Sequence, residues 1–355
     1  MPFRVLQVIT PSHMSGAETQ LVRMVRRMRG RGHELPVLVK RGSSVVADMQ
    51  RHGVDPQTAA IGGKANLLAP LMIGRVARRN GVQLIQSALS TASWWCGWLE
   101  SLGGPPSLGH VHGFTSAAWH RRQRHLLAVS QAVADDLIIQ GVDPERITVL
   151  PNAIDPAEFQ PTRPPRTVRE ELGAEPDTPV VAAFGHLSEK KGYRDLFEAI
   201  PQVLAQAPRT QFWIVGRGAL ETELRSAAFA GGFADRVRFT GFRRDAADVM
   251  NACDVLALPS HREPFGLVYI EAATLGKPAI ACRAGGAIEA VADGETGLLV
   301  PPRDAIALAE AMLTLLTDAG LRQRMGAAGR KRTAELFSWQ RYTNTLEGVY
   351  QRLVA

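Results

Sequence analysis

Cysteine is scarce: Cys96, Cys253 and Cys282 are the only three in 355 residues, and no two stand at metal-ligand spacing. They form no even disulfide framework, so a reducing cytoplasm is expected. No run of about 18 apolar residues occurs, so no bilayer-spanning segment is expected. The opening MPFRVLQVIT runs straight into a strand pattern and carries no signal-peptide cleavage site. There is no Asp-x-Asp motif, so no required metal is expected. The turn in FWIVGRG (212–218) lacks the full G-x-G-x-x-G, which argues against NAD or FAD. No nucleic-acid-binding motif appears, so nucleic acid is not an expected partner.

Charge is present and uneven. The net charge is +7. Through Glu158 there are 17 Lys and Arg against 11 Asp and Glu, a balance of +6, and the rest of the chain carries +1. The excess fits an anionic membrane or an anionic glycolipid. It is densest at Arg23, Arg26, Arg27, Arg29 and Arg31, on a predicted helix that Glu18 opens. A solvated basic face and a membrane-contacting surface are equally good readings of that run. Trp94, Trp95 and Trp98 cluster at helical spacing, which core packing explains more readily than sugar stacking or a lipid interface.

Short apolar runs alternate with helical patterns along the whole chain, which predicts an α/β protein. At 355 residues there is room for two domains, each with its own core. Pro156, Pro161, Pro164, Pro165, Pro176 and Pro179 read as a linker. The expected division is 1–158 for the first domain, 159–178 for the linker, 179–336 for the second domain and 337–355 for a last helix.

The stretch 259–302 carries the chemistry. Asp254 to Leu258 is a short apolar run, read as a buried parallel strand. The loop SHREPFG follows, then a predicted helix in LVYIEAATLG, closed by Gly276. Glu263 sits in the loop, and Glu271 lies about two turns into the helix. Open α/β sheets bind ligands at the carboxyl ends of their strands. The helix start at Phe265, Gly266 and Leu267 presents backbone N–H groups suited to a phosphate. Two carboxylates suit sugar hydroxyls, which donate to them. The inferred ligand is a nucleotide sugar.

EPFGLVYIEA, GKPAIACRAGGAIEAV and DGETGLLV, in that order, resemble the donor-site signature of the retaining GT-B glycosyltransferases with two Glu separated by seven residues. That resemblance implies two Rossmann-like doubly wound domains facing across a cleft, with a last helix crossing back to the first domain. It implies transfer of a sugar from a nucleoside-diphosphate sugar, the donor substrate, with no cofactor and no metal. The acceptor is expected to be a glycan or glycolipid of the cell envelope, reached from the cytoplasm with peripheral contact to anionic membrane. GHLSEKKG resembles the family's Gly-Arg-Leu-x-x-x-Lys-Gly loop, so Lys191 matches the diphosphate-binding Lys, and His186 stands where Arg is usual. The loop Ser15-Gly16-Ala17-Glu18 resembles the family's Gly-Gly-Ala-Glu loop, which assigns Gly16 to the donor. His112, just after a predicted strand at 107–111, matches the family's histidine beside the reacting sugar; His110 is expected on the opposite face. The resemblance thus assigns His112 and Glu263 to catalysis and the donor sugar. Gly16, His186, Lys191, Phe265, Gly266, Leu267 and Glu271 are assigned to donor binding. The segment Thr115 to Arg124 is shorter than the family's usual acceptor insert. An epimerase acting on nucleotide sugars and a donor-binding protein without turnover are the alternatives.

Overall fold

The computed structural model describes residues 2–11 and 16–355. The chain divides into two compact units: Met1–Ala153 together with Trp339–Ala355, and Ile154–Ser338. Each is a parallel sheet flanked by helices.

The first unit's strands are β1 (Val5–Ile9), β2 (Val37–Lys40), β3 (Gln57–Ala59), β4 (Leu84–Ala88), β5 (Ser107–Val111), β6 (His125–Ala128) and β7 (Ile147–Val149). They lie in the order β3-β2-β1-β4-β5-β6-β7. Val5, Leu6, Val8 and Ile9 are all fully buried, because helices cover both faces. The helices are α1 (Gly16–Gly30), α2 (Val45–Arg51), α3 (Ala69–Arg79), α4 (Ser90–Ser101) and α5 (Gln131–Ile139). Ser130 caps α5: its Oγ accepts from the Val133 amide at 3.1 Å. Helix α3 begins at Ala69, which places Pro70 in the first turn, where its missing N–H costs nothing.

The second unit repeats the plan. Its strands are β8 (Val180–Phe184), β9 (Gln211–Val215), β10 (Val237–Gly241), β11 (Val255–Leu258), β12 (Ala279–Cys282) and β13 (Gly297–Val300). Their order is β10-β9-β8-β11-β12-β13. Its helices are α6 (Pro165–Leu172), α7 (Tyr193–Gln206), α8 (Glu221–Ala230), α9 (Ala246–Ala252), α10 (Leu267–Thr274), α11 (Ala287–Ala290), α12 (Ala305–Thr317) and α13 (Ala319–Leu336). The last helix, α14 (Trp339–Val354), belongs to the first unit, where Tyr342, Leu346, Val349 and Tyr350 are buried beside α1 and β1. Both sheets have the doubly wound order, with the direction of winding reversing between β1 and β4 and between β8 and β11.

The expected linker at 159–178 is not a linker. It carries α6, which packs on α9 and buries Val168 and Leu172. Arg169 ties it to the start of β11 through Asp254, at 2.9 Å. Pro165 occupies the first helical position, where proline favours a helix start; the proline cluster therefore initiates structure instead of preventing it.

Candidate functional site

In the second unit the winding reverses between β8 and β11, and the loops leaving those two strands carry the predicted residues. The β8 loop holds His186 and a short 3-10 turn over Glu189–Lys191. The β11 loop holds Glu263. Lys191 Nζ donates to Glu263 Oε2 at 2.6 Å. The side chains are 19% and 6% exposed, so the pair is largely withdrawn from water yet open on the lysine side. Such a pair is stable only while each partner holds the other, because either charge alone would be costly to bury. The sequence assigned both residues to the ligand but did not pair them.

Backbone contacts bring the two loops this close. Gly192 follows Lys191 at φ 70°, and a Cβ there would lie 1.9 Å from the Pro259 carbonyl oxygen. The His261 amide donates to the Lys190 carbonyl at 2.9 Å. The His261 ring bonds Asp195 in the first turn of α7. On the other side the β12 loop closes against Glu263. The Gly286 amide donates to the Glu263 carbonyl at 2.8 Å. A Cβ on Gly286 would lie 2.2 Å from the Pro264 carbonyl oxygen, so only glycine allows that approach. His261, Asp195 and Gly286 were not singled out from the sequence, although the paired glycines of RAGGA carried a signal.

Helix α10 starts at this point. Gly266 is its N-cap at φ 94°, and the first turn opens with Leu267. The Tyr269 hydroxyl donates to the Leu258 carbonyl at 2.7 Å, fixing the helix against the end of β11. Phe265 is buried and stacks edge-on against Phe337, with ring centroids 5.4 Å apart. Glu271 lies on α10 and is half-buried. His186 is exposed at the end of β8. The structure therefore gathers His186, Lys191, Glu263, Phe265, Gly266, Leu267 and Glu271 on two loops and one helix of a single unit.

Gly16 and His112 belong to the first unit. Gly16 is the first residue of α1, and Ser15 lies outside the described residues. His112 follows the last residue of β5. Its ring lies 3.9 Å from that of His110, centroid to centroid, so the two share a face. The expectation that His110 points away is wrong, because residues two apart on a strand face the same way. Burial holds the His112 imidazole down at about 4. Burial, and then the neighbouring His112, push His110 well below its ordinary value. At neutral pH His112 is therefore an uncharged ring, able to donate and accept single hydrogen bonds.

The basic run on α1 is largely committed within its own unit. Arg29 donates to the Leu35 carbonyl at 2.7 Å, and Arg27 lies over the Trp339 ring at 5.9 Å. Arg31, just past the helix, pairs with Glu347 at 2.6 Å and holds that carboxylate down at about 2. The tryptophans form a cluster: Trp94 meets Trp95, Trp98 and Trp119 edge-on. Lys64 caps the Trp119 ring at 3.1 Å and Arg122 the Trp98 ring at 3.8 Å. Among the described residues, no group of three His, Cys, Asp or Glu is placed to hold a metal ion. No helix among them is long and apolar enough to cross a membrane.

Two doubly wound sheets of this order define the GT-B fold, and the solved structures agree. The chain is similar to Anabaena Alr3699/HepE, crystallised in complex with UDP and glucose, at TM-score 0.87 and 24% identity; the match covers 98% of this chain and 99% of that one. Residues 166–332 match the family model for glycosyl transferases group 1, and residues 14–158 match that for glycosyltransferase family 4. The chain belongs to the group 1 glycosyltransferases of GT-B fold. Among curated relatives, a GDP-mannose-dependent monoacylated alpha-(1-6)-phosphatidylinositol monomannoside mannosyltransferase of Corynebacterium glutamicum is 37% identical over 214 residues, 56% of this chain and 55% of that protein. A D-inositol 3-phosphate glycosyltransferase of Corynebacterium efficiens is 35% identical over 237 residues, 63% of this chain and 56% of that protein. The matches thus span little more than half the length of these relatives.

Proposed function

We propose that this chain is a retaining glycosyltransferase that moves a sugar from a nucleoside-diphosphate sugar to a glycan or glycolipid acceptor. The observation that carries the reading is the Lys191–Glu263 pair, held at 2.6 Å beside the start of α10 where the sheet order reverses. One cation and one carboxylate sit next to a row of helix-start amides. That set matches a diphosphate and the sugar attached to it. The UDP and glucose in the Anabaena structure and the GDP-mannose of the corynebacterial relative favour a nucleotide sugar as the donor.

In this reading the resting pair separates its duties when donor arrives. Lys191 turns to the diphosphate oxygens, and Glu263 accepts from hydroxyls of the sugar. The α10 amides at Phe265 to Leu267 and Lys191 stabilise the charge that grows on the leaving diphosphate. Glu271 holds the ribose hydroxyls. His112, neutral at working pH, bonds the donor sugar near the reacting carbon. The acceptor oxygen attacks from the face the phosphate leaves, so configuration at that carbon is kept. No step calls for a metal. The lipid-linked substrate of the mannosyltransferase and the basic first unit favour an acceptor in the cell envelope, at the cytoplasmic face of the membrane.

The test starts with a thermal-shift screen of nucleotide sugars, since bound donor stabilises the fold by mass action. The best donor is then incubated with candidate acceptors, and the new anomeric centre is read by proton NMR. Retained configuration is expected. An inverted product overturns the retaining mechanism, and an altered nucleotide sugar formed without acceptor makes the protein an isomerase.

A further inference from the structure

Beside the Lys191–Glu263 pair, a second side-chain tie joins the loop after β11 to α7. His261 precedes Glu263 by two residues, and its Nε2 meets Asp195 Oδ2 at 2.5 Å. A carboxylate only accepts, so the imidazole donates through Nε2. The two side chains are 22% and 14% exposed, so water competes little for the bond. Asp195 stands in the first turn of α7 between Tyr193 and Leu196, both buried. Helix α7 in turn packs on α12, so the acceptor of this bond is fixed to the body of the second unit.

The backbone strengthens the hold. The His261 amide donates to the Lys190 carbonyl at 2.9 Å while the ring bonds Asp195, so one residue grips the chain on both sides of Lys191. The Gly286 amide holds the Glu263 carbonyl from the β12 side, at 2.8 Å, and leaves the α7 side to these side chains. The two ties respond differently to a donor. In the proposed function Lys191 leaves Glu263 for the diphosphate, so that tie is lost when Glu263 must stay aligned with the sugar. Asp195 is acidic and has no attraction for a diphosphate, so its bond to His261 survives the exchange.

We propose that His261 is a positioning residue: through Asp195 it holds the β11 loop on α7 while Lys191 is engaged by the donor diphosphate, and so keeps Glu263 aimed at the donor sugar. A short side-chain bond to a rigid helix is the means by which a loop keeps a functional group in place. The inference rests on the donor reading above and adds to that site a part that matters most in its loaded state.

Hydrogen–deuterium exchange of the whole chain, read by mass spectrometry on peptides covering residues 259–266, tests it. Without ligand, His261→Ala should exchange within about twofold of wild type, because Lys191 still holds Glu263. With saturating UDP the variant's loop should exchange about tenfold or more faster, while wild type stays protected. Lys191→Met with Glu263→Gln removes the pair and should reproduce the loaded state without UDP. In that protein the loop should stay protected, and adding His261→Ala should speed its exchange about tenfold or more. His261→Gln keeps an N–H near the Nε2 position and should restore protection in both settings. Asp195→Asn, which trades a charged acceptor for a neutral one, should give a smaller rise in the same states. Peptides from β8 and β9 check that each variant is folded. In turnover His261→Ala should lower kcat about tenfold or more with donor KM within about twofold, since a slightly displaced carboxylate loses its transition-state contact. Exchange that rises equally in every state, exchange that rises in none, or an unchanged kcat would overturn the inference. UDP that fails to bind wild type would break the donor reading instead, and the proteins lacking the pair would still decide whether His261 holds the loop.

Discussion

The two units share a strand order and differ in how they handle charge. In the second unit ion pairs lace the surface and reach into the site. Arg243 and Arg163 share Glu171 and Asp245, Arg194 holds Glu223, and Lys191 holds Glu263. The first unit instead packs histidines as neutral rings. Burial depresses His110, His112, His120 and His125, with Lys64 adding to the effect on His120. Neither ring nitrogen of the buried His120 has a hydrogen-bond partner among the described residues. One sheet plan thus carries two kinds of lining: paired charges in the second unit, and uncharged rings in the first.

The largest effect that would sharpen this contrast is at Glu263. Glu263→Gln should lower kcat by roughly a hundredfold or more, since it removes a carboxylate from the sugar and half-frees Lys191. Steady-state kinetics with saturating donor measures it, and a purely KM effect would show that Glu263 serves the ground state only.

The next effect concerns acid. A histidine whose folded value lies below its unfolded one binds fewer protons when folded. Its contribution is complete above about pH 6.5 and is lost as pH falls toward the folded value. His112 and His120 sit at about 4. Each therefore removes on the order of 3 kcal/mol between those limits. Glu171 and Glu223 in the second unit are held below the ordinary carboxylate range by their arginines, so their contribution fades only at lower pH. Trp94, Trp95, Trp98, Trp119 and Trp339 lie in the first unit, against Trp213 in the second. Acid titration should thus change tryptophan fluorescence before far-ultraviolet circular dichroism completes its loss. Coincident transitions would mean that the units unfold as one.

Smaller effects test the donor contacts. Glu271→Gln should raise donor KM by about tenfold with kcat little changed, because a carboxylate bond to ribose becomes a neutral one. His186→Arg should lower donor KM by only about two- to fivefold, since it adds a forked cation at an exposed position beside an existing lysine. A weaker donor affinity in that variant would show that the histidine is itself a ligand contact.

The donor side was far more legible in the sequence than the first unit. Glu263, Gly266 and Glu271 follow one another on one loop and one helix, so spacing alone orders them. Lys191 was legible only through the resemblance of its loop to the family's, and its pairing with Glu263 joins residues 72 positions apart and depends on where two loops close. The proline-rich stretch was misread because Pro165 starts α6 rather than marking an open linker. The α1 arginines looked free in sequence because their partners Glu347 and Trp339 come from the far end of the chain.

Calorimetric titration of UDP and GDP into wild type and Lys191→Ala tests the central claim most directly, namely that the Lys191–Glu263 pair is the heart of a diphosphate site. Lys191→Met with Glu263→Gln, which removes both charges together, is the control against a buried unpaired carboxylate. The account predicts tight binding of one diphosphate to wild type and a loss of about tenfold or more in both variants. Equal affinity in all three proteins would contradict it.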